Sequence, residues 1–374
     1  PLNHQDFRNL PTSRECALFF AASSTLLVFP LLWGMLADRH ISLNRLFTVL
    51  NLVAVVALVL LANSKTFWGL LISFSLFSAC FNPTLTLINA LCFRHLQSPR
   101  EQFGLLRAWG SAGWMIPSLP IYLWLVKARA ADLGFVLYLG AGLGLAMVVM
   151  TLFLPHTPSG ARSPGTDRSQ ELGYWPAMKR LLRDANFIAI LVSFFLVAAS
   201  FSILVYYSPP FLEACGIDRA WIGPTQCIGV VFEIILFRWL PRFIDHWSYR
   251  ASILLGCFAL LLRHLLFAWS GNPWLLAGSY LLAGMVIVFY HIGVSILVNA
   301  MAGPEVRATA QTLLVLFGSG LGPMFANGVA GRLAAQASDN LRPVFLFAAA
   351  LAALAAAMIL ARGSKLDQGR HAQS

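Results

Sequence analysis

Charge is scarce in this sequence. Asp, Glu, Lys and Arg make up 11% of its 374 residues, under half of the ~25% usual in soluble domains. With 58% hydrophobic residues and a mean hydropathy of +0.73, that scarcity excludes a water-soluble fold. Acidic residues are scarcest, 15 against 26 Lys and Arg. A net charge of +11 would suit nucleic acid, but the basic residues are spread between apolar runs and form no patch or tail, so no nucleic-acid partner is expected. The six cysteines (Cys16, Cys80, Cys92, Cys215, Cys227, Cys257) form no C-x-x-C pair and no metal-ligand spacing. They read as free, buried small hydrophobes. A membrane enzyme or a non-transporting sensor would need a catalytic constellation or a soluble domain; the chain carries no Ser-His-Asp arrangement, metal cluster or phosphate loop. No enzyme activity, cofactor or metal is expected.

What is abundant is long apolar sequence. Segments of about 18 or more apolar residues, enough to cross a ~30 Å hydrocarbon core, occur eleven times: approximately 17–37, 46–63, 68–92, 103–126, 134–154, 187–207, 221–240, 251–269, 273–299, 308–332 and 342–361. Short turns separate most of them, so consecutive helices are expected to be antiparallel neighbours. The exception is 155–186, rich in Pro, Gly and Ser and then basic. It divides an all-α integral membrane protein into an N-terminal bundle (1–154) and a C-terminal bundle (187–362), followed by a tail (363–374).

Positive charge sets the orientation. With the linker in the cytoplasm, sixteen of the 26 Lys and Arg fall inside and seven outside, with Arg107, Arg263 and Arg332 within spans. This bias also accounts for the basic balance. Five spans before the linker and six after, with linker and C-terminus inside, put residues 1–16 outside. The expectation is one further helix ahead of Pro1, the first of twelve, in two weakly similar halves of six, as many secondary transporters are built.

The halves echo each other. After the first span stands Gly34-Met-Leu-Ala-Asp38-Arg39, followed by Arg45; the matching place in the second half reads Arg242-Phe-Ile-Asp245, followed by Arg250. A carboxylate at a helix end among arginines caps one helix and clamps the next through charge-assisted hydrogen bonds. The G-x-x-x-D-R turn resembles the loop between helices 2 and 3 of the major facilitator superfamily, with Asp245 its weaker echo. That resemblance implies the two-bundle major facilitator fold with eleven of twelve helices present, and a conformational gate at Gly34, Asp38, Arg39 and Asp245.

A second resemblance covers both halves. Phe103-Gly-Leu-Leu-Arg107-Ala-Trp109-Gly-Ser111-Ala-Gly-Trp114 is similar to the start of helix 5 in lactose permease and to the R-x-W-G stretch of the nucleoside:proton symporters. Asn82-Pro-Thr-Leu with Ile88-Asn89, Leu154-Pro-His-Thr-Pro158 and Arg307-Ala-Thr-Ala-Gln311 also resemble the nucleoside symporters. The branch implies a proton-coupled symporter of a small polar solute, a sugar, nucleoside or aromatic acid, driven by the proton gradient without a cofactor, in a bacterial inner membrane and as a monomer. A proton-coupled exporter is the alternative.

The residues support a site on their own terms. Arg107, Ser111, Trp114 and Ser118 recur at i, i+4, i+7 and i+11 and share one helix face. A guanidinium, hydroxyls and an aromatic plane suit a hydroxylated or anionic ligand; the alternative for Arg107 is snorkelling to the cytoplasm. Glu233 is the only acidic residue well inside an apolar span. A carboxylate at that depth costs several kcal/mol unless paired or protonated, which makes it the candidate carrier of the coupling proton; an ion pair with Arg263, or direct substrate contact, are the alternatives. Gln226 lies two turns away on the same face. Lactose permease sets the residue matching Arg263 beside a His and a Glu on helix 10, but alignment puts Met285 and Val288 at those positions, so that relay is absent. His291, on a face with Ser295 and Tyr280, is its candidate substitute or a packing residue. Ser75, Ser78, Asn82, Thr86 and Asn89 form one polar stripe and Ser193, Ser200 and Tyr207 another, each facing the bundle interior and a shared cavity, some of them gluing helices. Gly318, Gly322 and Gly331 suggest close helix packing, and Pro323 a kink. Where the nucleoside symporters hold the base with a Gln and an Asn on helix 7, this chain has Ser202 and Val205, which argues against a nucleobase ligand.

Overall fold

The computed structural model describes residues 25, 29, 33, 41–95, 109–128, 134–153, 176, 179–302, 307–336 and 341–362. Nine helices among the described residues are long and apolar enough to cross a membrane. They coincide with nine of the eleven expected spans; span 17–37, apart from residues 25, 29 and 33, and the start of span 103–126 lie outside the described residues. The chain divides into two compact units, residues 1–110 with 119–166, and residues 111–118 with 167–374.

In the first unit α1 (Leu43–Asn63) packs along both α2 (Phe67–His95) and α4 (Gly134–Thr151), with α3 (Ser118–Ala128) between α2 and α4 in sequence. Leu43, Leu46, Phe47, Leu50, Ala54, Cys80 and Leu87 form its core. Glycine lets α4 come close: a Cβ at Gly144 would lie 2.7 Å from Val55 Cγ2. Thr48 and Thr151 share a 2.7 Å hydrogen bond across the same pair, the kind of polar contact that holds helices together where lipid supplies no hydrophobic driving force.

The second unit contains α5 (Ala185–Ala214), α6 (Arg219–Phe237), the short α7 (Leu240–His246) and α8 (Tyr249–Trp269). Then come α9 (Pro273–Gly278), α10 (Tyr280–Met285) and, across a π-helical turn at Val286–Ile292, α11 (Gly293–Met301). The chain continues through α12 (Arg307–Val315), a second π-turn at Leu316–Leu321, α13 (Gly322–Gln336) and α14 (Arg342–Arg362). Short polar residues start these helices. Asp184 and Asp218 accept the second backbone N–H of α5 and α6, and Asn272 accepts from Trp274 and Leu275 ahead of Pro273, meeting amide groups that no preceding turn can satisfy.

Two departures from the expected spans have local causes. α5 does not stop near Tyr207 but runs on through Pro209 and Pro210 to Ala214. The distortion expected at Pro323 is a π-turn just before it: proline has no N–H to offer the carbonyl four residues back, and the wider turn re-pairs the ladder. Gly318 and Gly322 do pack closely, Gly318 against the Phe194 ring and Gly322 with a would-be Cβ 2.9 Å from the Phe195 carbonyl. Of the cysteines, Cys80 and Cys257 are buried and Cys215 and Cys227 only half-buried, all four free; Cys16 and Cys92 carry no described side chain.

Candidate functional site

Glu233 is buried, 9% exposed, on the inner face of α6. The Ser111 hydroxyl donates to its Oε1 at 3.1 Å. Seven residues on, Ser118 Oγ and Cys227 Sγ lie 3.1 Å apart, and a Cβ at Gly223 would meet Ser118 Cβ at 3.3 Å. Segment 111–118 therefore runs antiparallel to α6. The sequence put Ser111 on a stripe with Arg107 and Trp114; the structure joins it to the one carboxylate expected inside a span. Trp114 is 58% exposed, and Arg107 lies outside the described residues.

Behind Glu233, α6 touches α10 backbone to backbone. A Cβ at Gly229 would lie 2.7 Å from the Tyr280 carbonyl, and one at Gly284 would lie 2.6 Å from the Gly229 carbonyl and 3.0 Å from the Glu233 nitrogen. Tyr280, at the start of α10, turns its ring to Arg263: the guanidinium carbon sits 4.1 Å from the ring centroid and 5.6 Å from that of Phe267. The Tyr280 and Ser208 hydroxyls are 3.1 Å apart. Arg263 is 3% exposed, and its Nε and Nη2 have no hydrogen-bond partner. The ion pair with Glu233 weighed from the sequence is not formed. Aromatic faces replace it, since Val288, one of the two residues standing where lactose permease has its helix 10 pair, lies fully buried among apolar neighbours, and Met285 packs with it.

The serines expected to line a cavity from α5 are spent on helix contacts. Ser193 and Tyr290 share a 2.7 Å hydroxyl pair, and Ser200 bonds both His264 Nε2 at 2.8 Å and the Ala348 carbonyl at 2.9 Å; both serines are fully buried. The π-turn explains how two successive residues reach one neighbour. Tyr290 meets Ser193 while His291 presents its edge to Phe194 (5.3 Å between centroids) and Phe201 (5.6 Å). The turn's loosened Phe289 carbonyl accepts from Ser252 at 3.0 Å, and Gly256 leaves room for it, a Cβ there meeting Tyr290 Cβ at 2.6 Å. His291 Nε2 has no hydrogen-bond partner.

Gln226 and Tyr207 are half-buried in the second unit and Asn82 half-buried in the first. Asn89 and Asp245 lie in helices α2 and α7, with side chains outside the described residues; so do Gly34, Asp38 and Arg39 altogether. Sequence reading missed His264, Ser208 and Ser252. A histidine beside Arg263 within an apolar run was the available signal for the first; the hydroxyls carry none, because their partners lie 37 and 72 residues away. At the position of the missing helix 7 amides, Ser202 gives its hydroxyl to the Ala199 carbonyl of its own helix at 2.8 Å, and Val205 is exposed.

Comparison with known proteins agrees with this architecture. The sequence profile described as nucleoside H+ symporter matches residues 11–367. Nucleoside permease NupG of Escherichia coli (strain K12) is 23% identical over 342 residues, 87% of this chain and 80% of the relative. Putative nucleoside transporter YegT of the same organism is 27% identical over 311 residues, 81% and 72%. The crystal structure of nucleoside transporter NupG superimposes with a TM-score of 0.77 at 21% identity, covering 94% and 90%. Peptide transporter POT gives 0.74 at 14% identity, covering 95% and 87%. The structural likeness is one of fold, that of the major facilitator transporters.

Proposed function

We propose, for a chain that belongs to the nucleoside H+ symporter family, that the solute carried is a nucleoside and that Glu233 carries the coupling proton. The protein is a multi-pass membrane protein and a proton-coupled secondary transporter, not an enzyme; the proton gradient is its energy source. The family gives no support to the exporter alternative. The reading of the site rests on one observation, the Ser111 to Glu233 hydrogen bond beside the Gly229–Gly284 crossing.

Ionised, Glu233 accepts the Ser111 hydroxyl; protonated, it becomes a neutral group whose transfer through the membrane interior no longer carries the charge penalty. The carboxylate thus ties solute to proton if it changes state only when a nucleoside is bound. The α6 and α10 backbones touch at Gly229 and Gly284, so a small displacement at Glu233 moves Tyr280 and with it the Arg263 guanidinium, which holds two unengaged donors ready for a negative charge. Nucleoside contacts are assigned to Arg107, Ser111, Trp114, Asn82, Asn89, Gln226, Tyr207 and His291, with Trp114 as stacking wall. The family outweighs the argument that Ser202 and Val205 made against a nucleobase; with no amide at those positions of α5, Asn82, Asn89, Gln226 and His291 are the groups left to read the base edge. Gly34, Asp38, Arg39 and Asp245 are assigned to the conformational gate of a transporter with bundles 1–154 and 187–362. The linker 155–186 and tail 363–374 lie on the cytoplasmic side of a bacterial inner membrane, and the unit is a monomer.

The test is uptake in proteoliposomes under an imposed proton gradient. Glu233→Gln should abolish gradient-driven accumulation of uridine or adenosine while leaving nucleoside exchange between the two sides. Uphill uptake and proton influx at the parent level in that variant would remove Glu233 from the coupling role.

A further inference from the structure

Lys179, Arg180 and Arg183, with Pro176 and Asp184, line an open cleft of about 560 Å³ at the foot of α5. We propose that this cleft is a binding site for the phosphate headgroup of an anionic phospholipid. Among the described residues its charge is unbalanced. The one carboxylate, Asp184, is committed as the cap of α5, its Oδ1 accepting the Asn186 amide at 2.7 Å. The three cationic side chains make no hydrogen bond or ion pair with a described residue; the ion pair between described residues, Arg219 with Glu213 at 3.5 Å, lies at the opposite end of the helix. Two other cations of the second unit do find partners: Arg250 donates to the Leu360 carbonyl, and Arg263 rests on two rings.

Position selects the ligand. At 30 residues, α5 is about 45 Å long, longer than the ~30 Å hydrocarbon core, so the residues just before Ala185 stand at headgroup depth. The turn is held there by Leu181, 6% exposed and part of the unit's main core, which leaves Lys179, Arg180 and Arg183 facing outward. Leu182, 44% exposed, offers an apolar surface beside them for the first methylenes of an acyl chain. Free phosphate would find no backbone amide cradle here, because Asp184 already occupies the start of α5. A basic residue near an anionic membrane surface favours binding by about five-fold, so three give a preference on the order of a hundred-fold over a zwitterionic lipid. A bound headgroup would pin the root of α5, the helix whose Phe194 stands against His291 and Gly318, so the lipid should also set the transport rate.

The full-length protein is reconstituted in phosphatidylcholine vesicles with and without one fifth phosphatidylglycerol. Lipids retained on the released protein are counted by native mass spectrometry, and nucleoside uptake is measured in parallel. The parent should keep at least one phosphatidylglycerol, with on the order of a hundred-fold preference over phosphatidylcholine, and transport several-fold faster with it. The combined Lys179→Gln, Arg180→Gln, Arg183→Gln variant should lose both effects while matching the parent in phosphatidylcholine alone; Arg180→Lys with Arg183→Lys should restore them. Unchanged retention in the Gln variant overturns the site, as does displacement of the lipid by 10 mM inorganic phosphate, which would mark a free-anion site. Should the Gln variant fail to fold, salt decides on the parent protein: retention must fall between 50 and 500 mM KCl, and a flat response overturns the proposal.

Discussion

Gly284 and Gly229 bring two helices into backbone contact one turn from Glu233: a Cβ on Gly284 would sit 2.6 Å from the Gly229 carbonyl oxygen. Backbone lies on both sides, so no side chain can rotate out of the way. Gly284→Ala must push α6 from α10, an overpacking that costs about 1–3 kcal/mol and shifts the carboxylate away from Ser111. Nucleoside uptake should fall at least ten-fold, whereas Gly142→Ala, which enters open space, should stay within two-fold of the parent. Equal activity of the two variants would mean that the crossing does not position Glu233.

Ser200 has one hydroxyl hydrogen and gives it to the Ala348 carbonyl. The 2.8 Å contact with His264 therefore has the imidazole Nε2–H as donor, which assigns that tautomer from the network and leaves Nδ1 unpaired. Ser200→Ala strands the buried His264 Nε2–H, at about 1–3 kcal/mol, while the Ala348 carbonyl keeps its place in the α14 ladder. Ser202→Ala removes only a bond to its own helix and should cost far less. Thermal unfolding of the purified variants reads the difference directly; similar midpoints would contradict the assigned network.

Ser248, the residue that caps α8, is the one non-glycine with a positive φ among the described residues, at 128°. Its hydroxyl accepts the Ala251 amide at 3.2 Å. Exchanging that cap for glycine loses a few tenths of a kcal/mol, while the strained backbone holds about 1–3 kcal/mol. Ser248→Gly should accordingly raise the unfolding temperature. A fall would show the cap to outweigh the strain.

Cys215 closes α5 just beyond its apolar span, and burial pushes its thiol above the usual value of 9.0. A raised value means less thiolate at neutral pH, and thiolate is the reactive form. A variant keeping Cys215 as its sole cysteine should label slowly with maleimide at pH 7 and accelerate about ten-fold per pH unit through pH 9. A plateau below pH 9 would contradict the shift. An impermeant reagent on intact cells also reads the orientation, since Cys215 is expected outside.

Membrane spans were legible in the sequence because each is a local matter of length and apolarity, and lipid leaves the backbone little choice but a helix. Partners were less so. The Ser193, Ser200 and Tyr207 spacing marked one face of α5, but face alone could not distinguish a cavity wall from a seam between helices, which is where Ser193 and Ser200 stand. Period counting also misled at His291: it assumed an unbroken α-helix from Tyr280, and the π-turn between them gives Tyr290 and His291 access to the same neighbour.

What the sequence by itself determined is therefore the class of object: an apolar chain with its charges between spans, a buried Glu233 that demands a role, and an Arg263 without its usual helix 10 partners. Only the tertiary structure decided who answers those charges. Ser111 reaches Glu233 across 122 residues, and aromatic rings of Tyr280 and Phe267 rather than a carboxylate receive Arg263. Such pairings depend on glycines that let backbones touch and on a π-turn held by the distant hydroxyl of Ser252, contacts between segments far apart in the chain that no local pattern encodes.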